Sequence, residues 1–530
     1  MNLLARDRMG MGRFMPSLMA PLAGLLQAAS MAWPTSGQAS GSLQVFSLFI
    51  LSLALVRCAR APGSASACAQ AAAWQTAGFA TAWLAGSFWW LYVSMHDVGG
   101  LPAPLAALAV LALAAALGLY YAGAAAVWVT LVRRNGWLAR PVCASMLFAA
   151  LWTLAELMRG RWFTGFPWGA GGYAHVDSHL AALAPWLGVY GVGAVAAGLA
   201  MRLALGSGLW QALRAVLLVL ALCWGLKAWG PTFTASAGVG QVELLQASIA
   251  QTEKFDAFSG VRDALTWYDQ RLRQSTQPLV VAPETAIPLL PRHLPEGYWR
   301  ELQASFADRQ DRLALVGVPL GDAAQGYTNS VVTLGPAGLP AYRYDKFHLV
   351  PFGEFVPSGF QWFVRQMQIP LSDFSRGPLD QPSISWQGQR LALNVCYEDL
   401  FGEELAARFG VAELAPTALV NVSNIAWFGN TLAVDQHLSI SRMRAMELER
   451  PMLRATNTGA TAIIDHQGHV VGMLERFTRG SLVGRYEGRT GLTPFARWAA
   501  AWGAWPLWGL TLLVVGWGWL AGRRSVKTRH

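Results

Sequence analysis

Residues 391–398 read LALNVCYE, an apolar run that ends on a thiol, Cys396, and turns at once into charged residues, with Glu398 two places on. Such a run predicts a strand over 391–396, with the thiol at its end. The chain's other cysteines, Cys58, Cys68, Cys143 and Cys223, lie in or beside hydrophobic segments. A thiol at a strand end suits a nucleophile. The same position also suits a buried structural cysteine, because free cysteine packs as a small hydrophobe.

Around this strand the sequence alternates. Further strands are expected at 242–245, 279–282, 313–318, 330–334, 418–422, 460–465 and 482–486, and helical patterns at 259–273, 297–309, 402–409 and 433–449. Interleaved strands and helices predict a layered α/β domain, whose catalytic groups gather where strands end. No internal repeat is legible.

The rest of the 530 residues has another character. Overall 54% of residues are hydrophobic, 13% are charged and 25 are tryptophan, the composition of a membrane protein with one substantial polar part. Apolar stretches long enough to cross a bilayer are expected near 16–33, 42–57, 72–94, 102–131, 141–158, 180–204, 210–229 and 496–521. The first has the basic start of a signal peptide, but the spans that follow favour an anchor. The net charge of +10 does not argue for nucleic acid, because much of it flanks these spans. Arg6, Arg8 and Arg13 precede the first; Arg57, Arg60, Arg133, Arg134 and Arg140 fill two loops; Arg523, Arg524, Lys527 and Arg529 follow the last. The loop at 95–101 has neither Lys nor Arg. By the positive-inside rule both termini face the cytoplasm and the polar block lies outside it. The expected division is a membrane domain of seven helices at 1–230, an extracytoplasmic domain at 231–492, and a last helix with a cytoplasmic tail at 493–530.

Three polar residues at strand ends or in loops of that block are candidates for chemistry. Glu284 follows an apolar run in LVVAPETAIP, and a turn or helix-start glutamate is the other reading. Lys346 stands in YRYDKFHLVPFGEFVP, eight residues before Glu354, where a solvated surface charge is equally open. With Cys396 they form a coherent acyl-transfer set: Glu284 takes the thiol proton, Cys396 attacks a carbonyl, and Lys346 stabilises the oxyanion. His348, His437, His466 and His469 show no metal-ligand spacing, so neither metal nor cofactor is expected. Arg442, Arg444, Glu447 and Glu449 share one expected helix, where mutual pairing accounts for them.

The ordered pieces APET, DKFHLVPFGEFVP and NVCYED resemble the Glu, Lys, Cys triad of the nitrilase superfamily. With the spans they resemble the bacterial apolipoprotein N-acyltransferase family; TGFPWGAGGY (164–173), SNIAWFG (423–429) and QHLSISRMRAMELERPMLRATNTGATAIID (436–465) match it as well. The resemblance implies an α-helical transmembrane bundle of eight spans plus a nitrilase-like αββα sandwich. It implies Glu284 as general base, Lys346 as oxyanion partner and Cys396 as the nucleophile that becomes a thioester. Glu354, Tyr397 and Glu398 match the family's supporting residues. Phe255, Phe352, Phe355 and Trp427 are candidate substrate or lid residues, and the aromatic segments 162–173 and 352–363, Phe363 included, suit an interface belt or lid.

The implied reaction passes an acyl chain from a phospholipid, typically phosphatidylethanolamine, to the α-amino group of the S-diacylglyceryl cysteine of an apolipoprotein, giving a triacylated lipoprotein by ping-pong kinetics. The implied setting is a monomer in the bacterial inner membrane with a periplasmic catalytic domain. A membrane-tethered nitrilase-like amidase or acyl hydrolase is the alternative. The sequence departs from the family pattern at Ile425, where an aspartate is expected, and in QASIAQTEKF (246–255), where Phe255 stands at a tryptophan position.

Overall fold

The computed structural model describes residues 4–206, 208–364 and 373–527. Arg529 lies outside the described residues, as do the side chains of Arg6, Arg8, Arg13, Phe363, Arg523, Arg524 and Lys527. Contacts divide the chain into two units: the helices up to Trp89, from Ala107 to Pro231 and from Ala504 onward form one, and Trp90–Ala106 with Thr232–Gly503 forms the other.

The second unit is built on strands β1 (Thr234–Gln246), β2 (Leu279–Val281), β3 (Leu313–Asp322), β4 (Gly326–Leu334), β5 (Arg343–Asp345), β6 (Ile384–Trp386), β7 (Gln389–Val395), β8 (Ala418–Ser423), β9 (Met452–Thr456), β10 (Ala462–Ile464), β11 (Val470–Met473) and β12 (Gly480–Gly491). They form two six-stranded sheets, ordered β12-β1-β2-β3-β4-β5 and β11-β10-β9-β8-β7-β6. In the first, β1, β2 and β3 are parallel, β4 and β5 follow antiparallel, and β12 closes the other edge antiparallel. In the second, β7, β8 and β9 are parallel, β10 and β11 follow antiparallel, and β6 closes the edge. One topology is therefore used twice, a repeat that the sequence does not display.

The sheets face each other across an apolar core that includes Val242, Leu244, Val281, Leu315, Leu393, Val395, Val420 and Leu453. Helices Gly260–Gln274 and Tyr298–Ala307 cover the outer face of the first sheet. Gly402–Ala406, Ala433–Leu448 and Pro494–Trp502 cover that of the second. The result is an αββα sandwich, and β2 and β8, buried on both faces, read as continuous apolar runs for that reason. The parallel strands β2 and β7 end next to Glu284 and Cys396, and Lys346 directly follows β5.

Helices lie at each of the eight apolar stretches, but not all are equally suited to a bilayer. Among the described residues, Gly41–Arg60, Ala103–Asn135, Pro141–Thr164 and His179–Ala204 are long and apolar enough to cross one; Pro494–Trp502 with Trp505–Ala521 makes a fifth if a pair bent by 89° counts as one span. The stretch 496–521 is thus not a single straight helix. Gly503 breaks it at φ 55°, and the arm before the break buries Phe495, Ala496 and Ala499 against the second sheet. The helix at the stretch 72–94 is displaced toward the N-terminus, running Ala65–Ser87.

Inside the first unit, the buried side chains of Arg159 and Glu156 organise the TGFPWGAGGY segment. Arg159 donates to the carbonyls of Phe166 and Trp168, each at 2.7 Å, and Glu156 accepts from the Gly171 amide at 2.8 Å. These groups satisfy non-helical backbone that would otherwise be stranded in an apolar environment. A Cβ on Gly172 would stand 2.1 Å from the Val189 carbonyl oxygen, so only glycine lets the two segments approach. Trp168 and Tyr173 are buried here, whereas Trp162 and Phe163 point outward, Phe163 at 91% exposure. The aromatic segment is half core and half surface.

Candidate active site

Glu284 sits just beyond β2, in a turn where Thr285 takes φ 47°. The turn crosses β3 so closely that a Cβ on Gly317 would meet the Pro283 carbonyl oxygen at 2.3 Å and the Thr285 amide at 2.6 Å. Glycine at 317 is therefore a condition of the turn's position. Lys346 is 1% exposed, which removes the surface-charge reading. Its ammonium lies 2.9 Å from Glu354 and 3.4 Å from Glu284. Burial works against that charge, but Glu354, Glu284 and the Cys396 thiol outweigh it and hold Lys346 protonated. Asn329, in the middle of β4, donates one amide group to both carboxylates, at 2.6 Å to Glu284 and 2.8 Å to Glu354. Glu284 also accepts from the Asn424 amide at 2.8 Å, and Glu354 from the Val350 amide at 2.8 Å.

Cys396 begins a short 3-10 turn, Cys396–Leu400, after β7 and takes φ 53°. Backbone strain of this kind costs about 1–3 kcal/mol and persists only where neighbours enforce it. Glu398 is one enforcer: it accepts from the Val395, Phe347 and His348 amides at 2.6, 2.7 and 3.2 Å and from the Tyr344 hydroxyl. It thereby ties the Cys396 turn to the segment that carries Lys346. Beneath the turn, His437 donates to Asp399 at 2.9 Å with the Cys396 carbonyl at 3.3 Å, while its other ring nitrogen faces Arg454 at 2.7 Å. Burial would raise the Asp399 carboxyl, but His437, Arg454 and the Ser441 hydroxyl hold it below the ordinary range. The thiol is part-buried; desolvation first, then the Glu284 charge, push it up to about 12, against the pull of Lys346. A thiol under the influence of a carboxylate and an ammonium can support base-assisted nucleophilic attack.

Residues 23–202 match the family described as apolipoprotein N-acyltransferase N-terminal domain, and residues 241–491 match carbon-nitrogen hydrolase. An apolipoprotein N-acyltransferase of Verminephrobacter eiseniae is 52% identical, covering 93% of this chain and 95% of its own. Those of Ralstonia nicotianae and Bordetella bronchiseptica are 46% and 43% identical, covering 80% and 77% of this chain and 81% of each relative. The chain belongs to the apolipoprotein N-acyltransferase family. The chain also resembles a carbon-nitrogen hydrolase from Helicobacter pylori at 17% identity and TM-score 0.35, over 47% of this chain and 89% of that one.

Within this apolipoprotein N-acyltransferase fold, the other expected residues take distinct places. Tyr397 points inward, its ring 5.7 Å from His348 and 5.4 Å from Phe401. Phe255 is 48% exposed, Trp427 is half-buried, Phe352 packs its ring 5.4 Å from Phe360, and Phe355 lies under Arg376 at 5.6 Å. Ile425 is 1% exposed and packs with Val434 and Ala460 against Phe428 and Cys396. Burial, in place of an aspartate's hydrogen bonds, fixes that side chain, while the neighbouring Asn424 secures the loop by donating to Gln251 at 2.8 Å. Segment Trp90–Ala106 reaches the same loop: Trp90 donates to Gln436 at 3.1 Å and its ring lies 4.2 Å from Phe428.

Sequence reasoning missed Asn329, Asn424, Gln251 and Lys254. The signal for Asn329 was a polar TNS interruption in an apolar strand, and for Lys254 only its place beside Phe255.

Proposed function

We propose that this enzyme transfers an acyl chain from a membrane phospholipid to the α-amino group of the S-diacylglyceryl cysteine of an apolipoprotein, through a thioester on Cys396. The observation that carries the reading is the connected set of Glu284, Lys346, Glu354 and Asn329, whose Glu284, Lys346 and Glu354 charges act on that thiol, on a chain 52% identical to an apolipoprotein N-acyltransferase across nearly its whole length.

In the first half-reaction Glu284 accepts the thiol proton as Cys396 Sγ attacks the sn-1 ester carbonyl. Lys346 stabilises the oxyanion, and the lysophospholipid leaves with the proton from Glu284. In the second, the acceptor amine attacks the thioester, Glu284 takes its proton, and Cys396 leaves and is reprotonated. Phosphatidylethanolamine is the proposed donor, and the triacylated lipoprotein is the product. Both substrates are anchored by acyl chains, each buried CH₂ contributing about 0.8 kcal/mol, so the site has to open at membrane level. Phe255, Phe352, Phe355 and Trp427 are proposed to line that opening.

The proposed topology is eight crossings, seven within 1–230 and one within 493–530, as a monomer in the inner membrane. Domain 231–492 then lies in the periplasm and both termini in the cytoplasm, a reading supported by the basic loops. The test incubates purified protein with acyl-labelled phosphatidylethanolamine and a synthetic diacylglyceryl lipopeptide. Label recovered as an amide on the lipopeptide, and lost in Cys396→Ala, supports the reading. Label recovered only as free fatty acid identifies a hydrolase instead and overturns it.

A further inference from the structure

We infer that Lys254 is a second cation of the active site, a positioning residue that holds the Glu284 turn from behind and favours the anionic state of the Cys396 thiol. Lys254 is 3% exposed, and its ammonium donates to the Glu284 carbonyl oxygen at 3.2 Å and to the Thr285 hydroxyl at 2.5 Å. Its target is the very turn that Thr285 strains at φ 47°. A buried ammonium is costly unless neighbouring charge needs it. A neutral donor would satisfy a carbonyl and a hydroxyl equally well. The neighbouring charge is that of Glu284, joined by Cys396 once its thiol ionises; both draw the Lys254 pKa upward, while burial, the larger effect, lowers it to about 8.

The segment that delivers Lys254 is built into the site from its start. Ser248 takes φ 55° and donates its amide to the Asn457 carbonyl at 2.8 Å; Asn457 donates to the Ile249 carbonyl at 2.7 Å and to Asn424 at 3.1 Å; Asn424 donates to Gln251. Asn424 is also the residue whose amide meets Glu284. The base is thus held from one side by Lys346 and Asn329 and from the other by Asn424 and Lys254. Lys346 is engaged with Glu354 and Glu284 together, so a second positive charge offsets the surplus of carboxylate around a thiol that must ionise.

This inference rests on the acyl-transfer reading, but its test does not depend on turnover. Full-length protein in detergent is treated with iodoacetamide, and the alkylation rate of Cys396 is followed by mass from pH 7 to pH 9.5 in wild type, Lys254→Met and Lys254→Arg. The other charged groups facing the thiol, Glu284, Glu354, Lys346 and Arg454, are present in all three. Lys254→Met is expected to react about tenfold more slowly at pH 7, the effect of removing one nearby opposite charge. The gap should close above pH 8 as wild-type Lys254 loses its own proton. Lys254→Arg, which stays charged, should remain within about threefold of wild type at pH 7 and keep its advantage over Lys254→Met at high pH. Equal rates in Lys254→Met and wild type at pH 7 overturn the inference, and so does a gap that stays constant with pH, the mark of a purely structural role. Wild type that alkylates with this pattern yet forms no thioester from phosphatidylethanolamine overturns the acyl-transfer reading alone.

Discussion

Replacing Asn329 with alanine tests whether the two carboxylates of the site work as one preorganised unit. Asn329 is 3% exposed and its single amide group reaches Glu284 at 2.6 Å and Glu354 at 2.8 Å. Each is a hydrogen bond to a charged acceptor, a class contributing about 1.5–3 kcal/mol. The loss is softened because Glu284 keeps Lys346 and the Asn424 amide, and Glu354 keeps Lys346 and the Val350 amide. The net effect on the acylation barrier should therefore be about 2–3 kcal/mol, a slowing of roughly 30- to 150-fold. The assay is a single-turnover measurement of acyl mass on Cys396 after mixing with phosphatidylethanolamine, with thermal unfolding as a control. Acylation within about threefold of wild type, in a protein that still folds, would refute the claim that Asn329 couples the carboxylates.

Other consequences follow from the same contacts. Glu398→Ala removes the acceptor for three backbone amides and the Tyr344 hydroxyl; stability should fall by about 2–4 kcal/mol and acylation should be lost, read by thermal denaturation beside the mass assay. Gly317→Ala forces a methyl group to within 2.3 Å of the Pro283 carbonyl, so the Glu284 turn must move and acylation should drop at least tenfold, by about 1.4 kcal/mol, with a smaller change in melting temperature. Because the folded Asp399 carboxyl is held below its ordinary value, its contribution to stability is present above that value and is lost as pH falls through the folded one. The stability gap between wild type and Asp399→Asn should accordingly narrow below about pH 4; a gap that widens there contradicts the assignment.

How much of this was legible in the sequence depended on what each residue packs against. The parallel strands β2, β3, β7 and β8 were visible because burial on both faces makes them uniformly apolar. β9 was not, because Arg454 stands in its centre. That guanidinium is fully buried yet satisfied by Ala460, His437 and Ser441, partners that no local pattern reveals. The strands β5, β6 and β11 were too short to show a period. The run 496–521 read as one span because composition is blind to the bend at Gly503. Glu284, Lys346, Glu354 and Cys396 were found as motifs. Asn329, on β4, and Asn424, just beyond β8, reach Glu284 through contacts made only in three dimensions, and the doubled strand order is a matter of topology that no residue pattern displays.

In the proposed mechanism Cys396 carries the acyl chain between donor and acceptor. The most direct measurement is the mass of the Cys396 peptide in two stages, first with phosphatidylethanolamine alone and then after addition of a diacylglyceryl lipopeptide. The account predicts a thioester mass that persists in the first stage and disappears in the second as the lipopeptide gains one acyl group, with no adduct in Glu284→Gln. An adduct that decays to fatty acid at the same rate with and without the lipopeptide, or lipopeptide acylation that proceeds in Cys396→Ala, would contradict it.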